Sequence, residues 1–127
     1  MKDFKKYFII PAEPEILYQA LTHAPTIQLW TGESCVMEPV EGSEFSLWDE
    51  SICGRNLSFE PGKKIIQEWY FGDQEEPSIV TIILHPKDKD KTSVELRHTN
   101  IPDEAYDDIV SGWAGTYFKS LEEFYEE

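Results

Sequence analysis

This chain is short of the residues that hold metals or carry covalent chemistry. Its two cysteines, Cys35 and Cys53, stand far apart, and its three histidines, His23, His85 and His98, fall on different predicted elements. No Cys-x-x-Cys pair or ligand-spaced cluster occurs, so no metal site is expected. The thiols read as reduced, mostly buried hydrophobes. A Gly-x-Ser-x-Gly elbow, a Walker loop and a dinucleotide glycine fingerprint are all missing, and no cofactor is expected. Basic residues are scarce too: 11 Lys and Arg face 25 Asp and Glu, a net charge of −14. Such a field repels phosphate, which excludes nucleic acid and disfavours anionic membrane surfaces. The acidity serves either solubility or an encounter with a basic partner. Long apolar runs are absent as well. The first one, Tyr7 to Ile10, stops at Pro11, so neither a secretory leader nor membrane insertion is expected, and the sequence reads as cytoplasmic.

What is present fits one domain over residues 1–127, able to bury about two-thirds of its unfolded surface. Residues 3 to 10 read as a first strand. Glu13-Pro14-Glu15 opens a helix with an apolar stripe of Ile16, Leu17, Ala20 and Leu21, proline and carboxylate both suiting a first turn. A second short helix runs from Pro25 to Trp30 and ends before Gly32. Six short strands come next, at Ser34–Glu38, Ser43–Trp48, Ser51–Glu60, Lys63–Phe71, Ser78–His85 and Thr92–Thr99. Turn residues separate them, at Glu41-Gly42, Asp49-Glu50, Pro61-Gly62, Gly72-Asp73 and the charged tip Lys87 to Lys91. Close spacing with tight turns predicts an antiparallel meander.

Alternation assigns faces. Val94, Leu96 and His98 share the inward side of the last strand, which leaves Ser93, Glu95, Arg97 and Thr99 to solvent. Ile65, Gln67, Trp69 and Phe71 carry the larger aromatics and take the concave side of theirs. In the strand before His85 both faces are apolar, Val80-Ile82-Leu84 against Ile79-Thr81-Ile83, and the inward set stays open.

From Ile101-Pro102-Asp103 a long amphipathic helix begins. Apolar residues recur at Tyr106, Ile109, Val110, Trp113, Tyr117, Leu121 and Phe124, a stripe of helical period. Asp103 is suited to be its N-cap, with Glu104, Asp107 and Asp108 facing the positive helix end. A helix from about 103 to 126 spans roughly 35 Å, enough to cover a curved sheet. Gly112 and Gly115 flank Trp113 and point to a close approach to the sheet or to a helix that bends for a ligand.

The order of these elements resembles the helix-grip (START-like, SRPBCC) superfamily. Within it the chain is similar to the family named for the activator of the 90-kilodalton heat-shock protein ATPase. Ile10-Pro11, Pro14 to Tyr18, Trp30, Gly42, Phe45, Gly54-Arg55-Asn56, Phe59 and Pro61 carry the likeness, with Lys64-Ile65-Ile66 and Trp69. It continues through Ser78, Val80-Thr81-Ile82, Leu96-Arg97-His98, Ile101-Pro102, Gly112-Trp113 and Tyr117. Two positions depart from it: Tyr70 comes after Trp69 where the family often has arginine, and Glu122 stands where lysine is common. The resemblance implies an α+β fold of order β-α-α-β6-α, a curved antiparallel sheet wrapped around a long C-terminal helix.

Two functions are then open. In the first, a non-enzymatic domain binds a small hydrophobic or amphipathic ligand between sheet and helix. Its wall would be Trp30, Phe45, Trp48, Phe59, Trp69, Phe71, Leu84, Leu96, Ile109, Trp113 and Tyr117, with Arg55, Asn56, Gln67 and His98 as polar anchors. These aromatics could equally fill the interior themselves. In the second, the domain is a co-chaperone-like module of the stress response that contacts a chaperone or another protein partner. Catalysis by His98, with Asp107 or Asp108 behind it, is the weakest expectation, because a lone histidine on an apolar face is more often a hydrogen-bonded core residue.

Overall fold

The first strand, β1 (Lys2–Ile10), pairs with the last, β6 (Thr92–Ile101), from Lys2 opposite Ile101 to Ile10 opposite Thr92. In this computed structural model, which describes residues 1–72 and 76–126, β6 also pairs with β5 (Ser78–Pro86). From there the sheet steps back through β4 (Lys64–Trp69) and β3 (Ile52–Glu60) to β2 (Glu44–Leu47). The order β1-β6-β5-β4-β3-β2 makes one curved, open antiparallel sheet.

Between β1 and β2 run two short helices, α1 (Pro14–Thr22) and α2 (Ala24–Thr31). Pro14 occupies the first turn of α1, where its missing N–H costs nothing, and Leu17, Ala20 and Leu21 face the core. His23 is extended and separates the helices; Gly32 then closes α2 in the left-handed conformation, φ 74°, which glycine adopts without strain. The Trp30 indole N–H donates to the Ala20 carbonyl at 2.7 Å and pins α2 against α1.

The inward sheet face is set by alternation. Val80, Ile82 and Leu84 are buried with Ile65, Trp69, Val94 and Leu96, which resolves the ambiguous strand in favour of its Val80 set. Burying each such aliphatic side chain stabilises by about 1.5–3 kcal/mol. At Gly54 any side chain would overlap the Glu68 carbonyl oxygen and approach the Phe45 ring to 2.8 Å. Beyond Asn56 the β3–β4 register slips by a bulge, after which Phe59 stands opposite Ile65.

Four local expectations are corrected. Residues 34–38 form no strand: a single bridge joins Val36 to Ser46, and Pro39 and the turn to Gly42 lead the chain away from so short an edge. Glu95, expected in solvent, is only 5 % exposed, because Tyr7 and Ile83 stand opposite it on the two flanking strands while His85, Arg97 and Lys5 converge on its carboxylate. Asp103 does not cap a helix: Pro102 precedes a 3-10 turn, Asp103–Ala105, and no side chain caps it.

The terminal helix, fourth, is not uniform. After that 3-10 turn come α3 (Tyr106–Gly112), a π turn (Trp113–Tyr117) and α4 (Phe118–Tyr125). The wider π turn rotates α4 about the helix axis, so adjacent Tyr117 and Phe118 are both buried while Phe124 is 40 % exposed. Phe118 stacks on Phe8 of β1 at 4.3 Å. A Cβ at Gly112 or Gly115 would meet nothing within 4 Å, so neither glycine marks contact with the sheet. Among the described residues no helix is long and apolar enough to cross a membrane. The expected turn at Gly72-Asp73 is half visible: Gly72 is left-handed, φ 84°, and Asp73 lies outside the described residues.

Candidate functional site

Where the terminal helix crosses the sheet, its π turn presses Trp113 onto Trp69, the rings stacked at 4.7 Å. Trp113 is 2 % exposed. Its indole N–H donates to His98 Nδ1 at 3.1 Å. An indole can only donate, so Nδ1 must be the acceptor and the proton of neutral His98 sits on Nε2. Nε2 then donates to Ser78 Oγ at 2.8 Å, and the Ser78 hydroxyl donates to the Thr99 carbonyl at 3.1 Å. The chain of donors is complete. Burial pulls the His98 pKa down to about 4, since charge is disfavoured away from water.

That direction of donation decides the chemistry. A serine activated by histidine must donate to an unprotonated ring nitrogen, whereas here the ring donates to the serine. Asp107 and Asp108 are exposed on α3 and make no hydrogen bond to His98, whose ring partners are Ser78 and Trp113. Ser78 and His98 are positioning groups that tie helix to sheet.

A second network serves β3 and β4. Trp69 Nε1 donates to Gln67 Oε1 at 3.0 Å, Gln67 Nε2 to Asn56 Oδ1 at 3.1 Å, and Asn56 Nδ2 to Ser43 Oγ at 3.2 Å. Each expected anchor is thereby placed. Asn56, Gln67 and His98 are buried and bonded within the protein, and Arg55 lies on the outer face, 3.3 Å from Glu68.

The expected apolar wall divides. Trp30, Trp48 and Tyr117 meet as one aromatic group, with centroids 5.3–5.6 Å apart. Trp69, Trp113, His98 and Phe71 form a second one, continuous with the first through the Trp113–Tyr117 contact at 4.7 Å. Phe45, Leu84 and Leu96 lie within the buried core, and Phe59 packs half-buried against it.

A pocket of about 320 Å³ remains on the helix side, and of the expected wall it gathers Trp48, Trp69, Ile109, Trp113 and Tyr117. The sequence reading missed its other residues, Ser51, Ile52, Asp108, Gly112 and Thr116. Helical spacing alone could have found Gly112 and Thr116, three residues and seven residues along the face from Ile109. Tyr117 is 5 % exposed, and its hydroxyl makes no hydrogen bond among the described residues. Burial pushes its ionisation well above the ordinary tyrosine value. A wider groove of about 930 Å³ runs between the start of α1 and the tips of the β3–β4 and β5–β6 hairpins, remote from both networks. Among the described residues no three His, Cys, Asp or Glu side chains are grouped as metal ligands would be.

A six-stranded antiparallel sheet closed by a C-terminal helix, with two short helices after the first strand, defines a helix-grip domain. Residues 11–126 match the family model described as Activator of Hsp90 ATPase homolog 1-like protein, and the chain belongs to that family. A curated relative from Dictyostelium discoideum, named activator of 90 kDa heat shock protein ATPase homolog, is 32 % identical over 102 residues. The match covers 79 % of this chain and 27 % of that protein, so the chain spans about a quarter of its relative's length. Among solved structures, an HSP90 activator from Plasmodium falciparum superposes with a TM-score of 0.89 at 24 % identity, covering 98 % of this chain and 96 % of the other. The Aha1 dimer from Colwellia psychrerythraea gives 0.81 at 20 % identity, with 96 % and 97 % covered. Both share the fold.

Proposed function

We propose that this chain is a non-enzymatic, cytoplasmic helix-grip domain that works by contacting a chaperone of the 90-kilodalton heat-shock class. The observation that carries this reading is membership of the activator family, with a relative at 32 % identity that bears the activator name. The interior supports it. Its buried His98, Gln67 and Asn56 are consumed by internal hydrogen bonds, so what the domain offers a partner lies on its surface. The chain carries 25 acidic against 11 basic residues, and among the described acidic residues Glu95 alone is buried, a balance suited to a basic-faced partner. The test is a pull-down of the chaperone from the same cells at low salt, together with its ATP hydrolysis rate with and without the domain. Capture and a faster rate support the reading; no capture at low salt overturns it.

A second reading, binding of a small apolar molecule between sheet and helix, is favoured by one feature. The pocket of about 320 Å³ beside Trp113 falls at the lower end of the range of small-molecule sites. Ligand-observed NMR against a panel of neutral aromatic and lipid-like compounds tests it, and silence across the panel at millimolar concentration removes it.

A further inference from the structure

The two walls of that pocket both depart from regular backbone geometry. On one side lies the π turn Trp113–Tyr117, a form that costs helical regularity and recurs at functional sites. On the other, Trp48 lines the pocket and opens a run of three left-handed residues, Trp48, Asp49 and Glu50, with φ of 49°, 52° and 69°, that leads into the lining residues Ser51 and Ile52. None is glycine, so each is sterically disfavoured, and such conformations persist where surrounding structure holds them, often at ligand clamps. The pocket sits between these two segments.

Its chemistry is equally specific. Trp48, Ile52, Trp69, Ile109, Trp113 and Tyr117 supply apolar and mostly aromatic walls. Ser51, Asp108 and Thr116, which also line it, are exposed. The Trp30, Trp69 and Trp113 indole N–H groups are each hydrogen-bonded. The Tyr117 hydroxyl, in the same aromatic group, is buried and makes no such bond among the described residues. Buried polar groups are normally paired, so this one is poised for an acceptor from outside. Burial keeps the phenol protonated, and it therefore acts as a donor. The Asp108 carboxylate and the net charge of −14 repel anions.

We infer that this pocket takes a small neutral aromatic molecule bearing a carbonyl oxygen, its ring packed among Trp48, Trp113 and Tyr117 and its oxygen accepting the Tyr117 hydroxyl proton. Offset or edge-on ring contacts favour an aromatic occupant over an aliphatic one of equal size. The inference rests on the second reading above and specifies the ligand's chemistry.

Acetophenone and α-methylstyrene test it, since they share a shape and differ in a carbonyl oxygen against a CH₂ group. Amide chemical shifts of the full chain are monitored as each compound is added. Acetophenone is expected to shift signals from residues 48–52 and 109–117 and to bind about tenfold more tightly than α-methylstyrene, the discrimination that one neutral hydrogen bond gives. Tyr117→Phe keeps the ring and should abolish that preference. Benzoate should not bind. If the pair bind equally to the wild-type chain, or the preference survives in Tyr117→Phe, the inference falls and the apolar-ligand reading stands. If neither compound binds at millimolar concentration, the inference falls, and the wider panel decides the apolar-ligand reading.

Discussion

The Trp113 indole N–H donates to His98 Nδ1 across 3.1 Å and so joins the terminal helix to the inner strand β6. One bond thereby determines a tautomer, a proton direction and the seating of a helix. Trp113→Ala removes a buried ring stacked on Trp69 and should destabilise by about 3–5 kcal/mol. Trp113→Phe keeps much of the packing but leaves His98 Nδ1 without its donor, and should cost about 1–3 kcal/mol. Urea unfolding of the two variants measures both.

His98 also makes stability depend on pH. Its folded pKa of about 4 lies below the value of about 6.5 in an unfolded chain. Above pH 6.5 neither state holds the proton and the stabilisation is complete. As pH falls from there towards 4 the unfolded state gains a proton that the native state refuses, and stability falls by on the order of 3 kcal/mol in all. His98→Gln should flatten that window. Glu95 acts lower: the His85 hydrogen bond, with help from Arg97, holds its carboxyl below the usual range. Its contribution is present above the unfolded value and is lost as pH drops through the depressed folded one. Unfolding curves at pH 7, 5.5 and 4.5 separate the histidine effect.

The glycines divide into two kinds. Gly54→Ala forces a methyl group onto the Glu68 carbonyl and the Phe45 ring, so β3 must part from its neighbours, and a fall in Tm is expected. Gly115→Ala meets open space and should stabilise by about 0.5–1 kcal/mol through the lower entropy of its unfolded chain. Thermal unfolding monitored by near-ultraviolet circular dichroism distinguishes the two.

Much of this architecture was legible because it is local. Val94, Leu96 and His98 alternate with polar neighbours, and Gly32, Pro14 and Pro61-Gly62 punctuate the chain by rules that need only a few residues. The misreadings are non-local. Glu95 is buried by Tyr7 and His85, which come from two other strands, and nothing in the run Ser93–Thr99 reports their arrival. The π turn escaped for a related reason. A spacing of three and four fits Ile109, Trp113 and Tyr117, but it does not fit adjacent Tyr117 and Phe118 both turned inward. Phe118 was missed because its partner, Phe8, lies at the other end of the chain. The expected aromatic wall split into core and pocket for the same kind of reason. Which rings touch water depends on the strained turn at Trp48–Glu50, whose left-handed backbone no side-chain pattern announces.

The claim that the domain acts through its acidic surface is tested most directly by calorimetric titration into the 90-kilodalton heat-shock chaperone of the same cells, at about 25 and 300 mM salt. Exposed charges are screened beyond a few ångströms at the higher ionic strength. The account predicts saturable binding at low salt that weakens by about tenfold or more at high salt. No binding at low salt, or an affinity unchanged by salt, would contradict it.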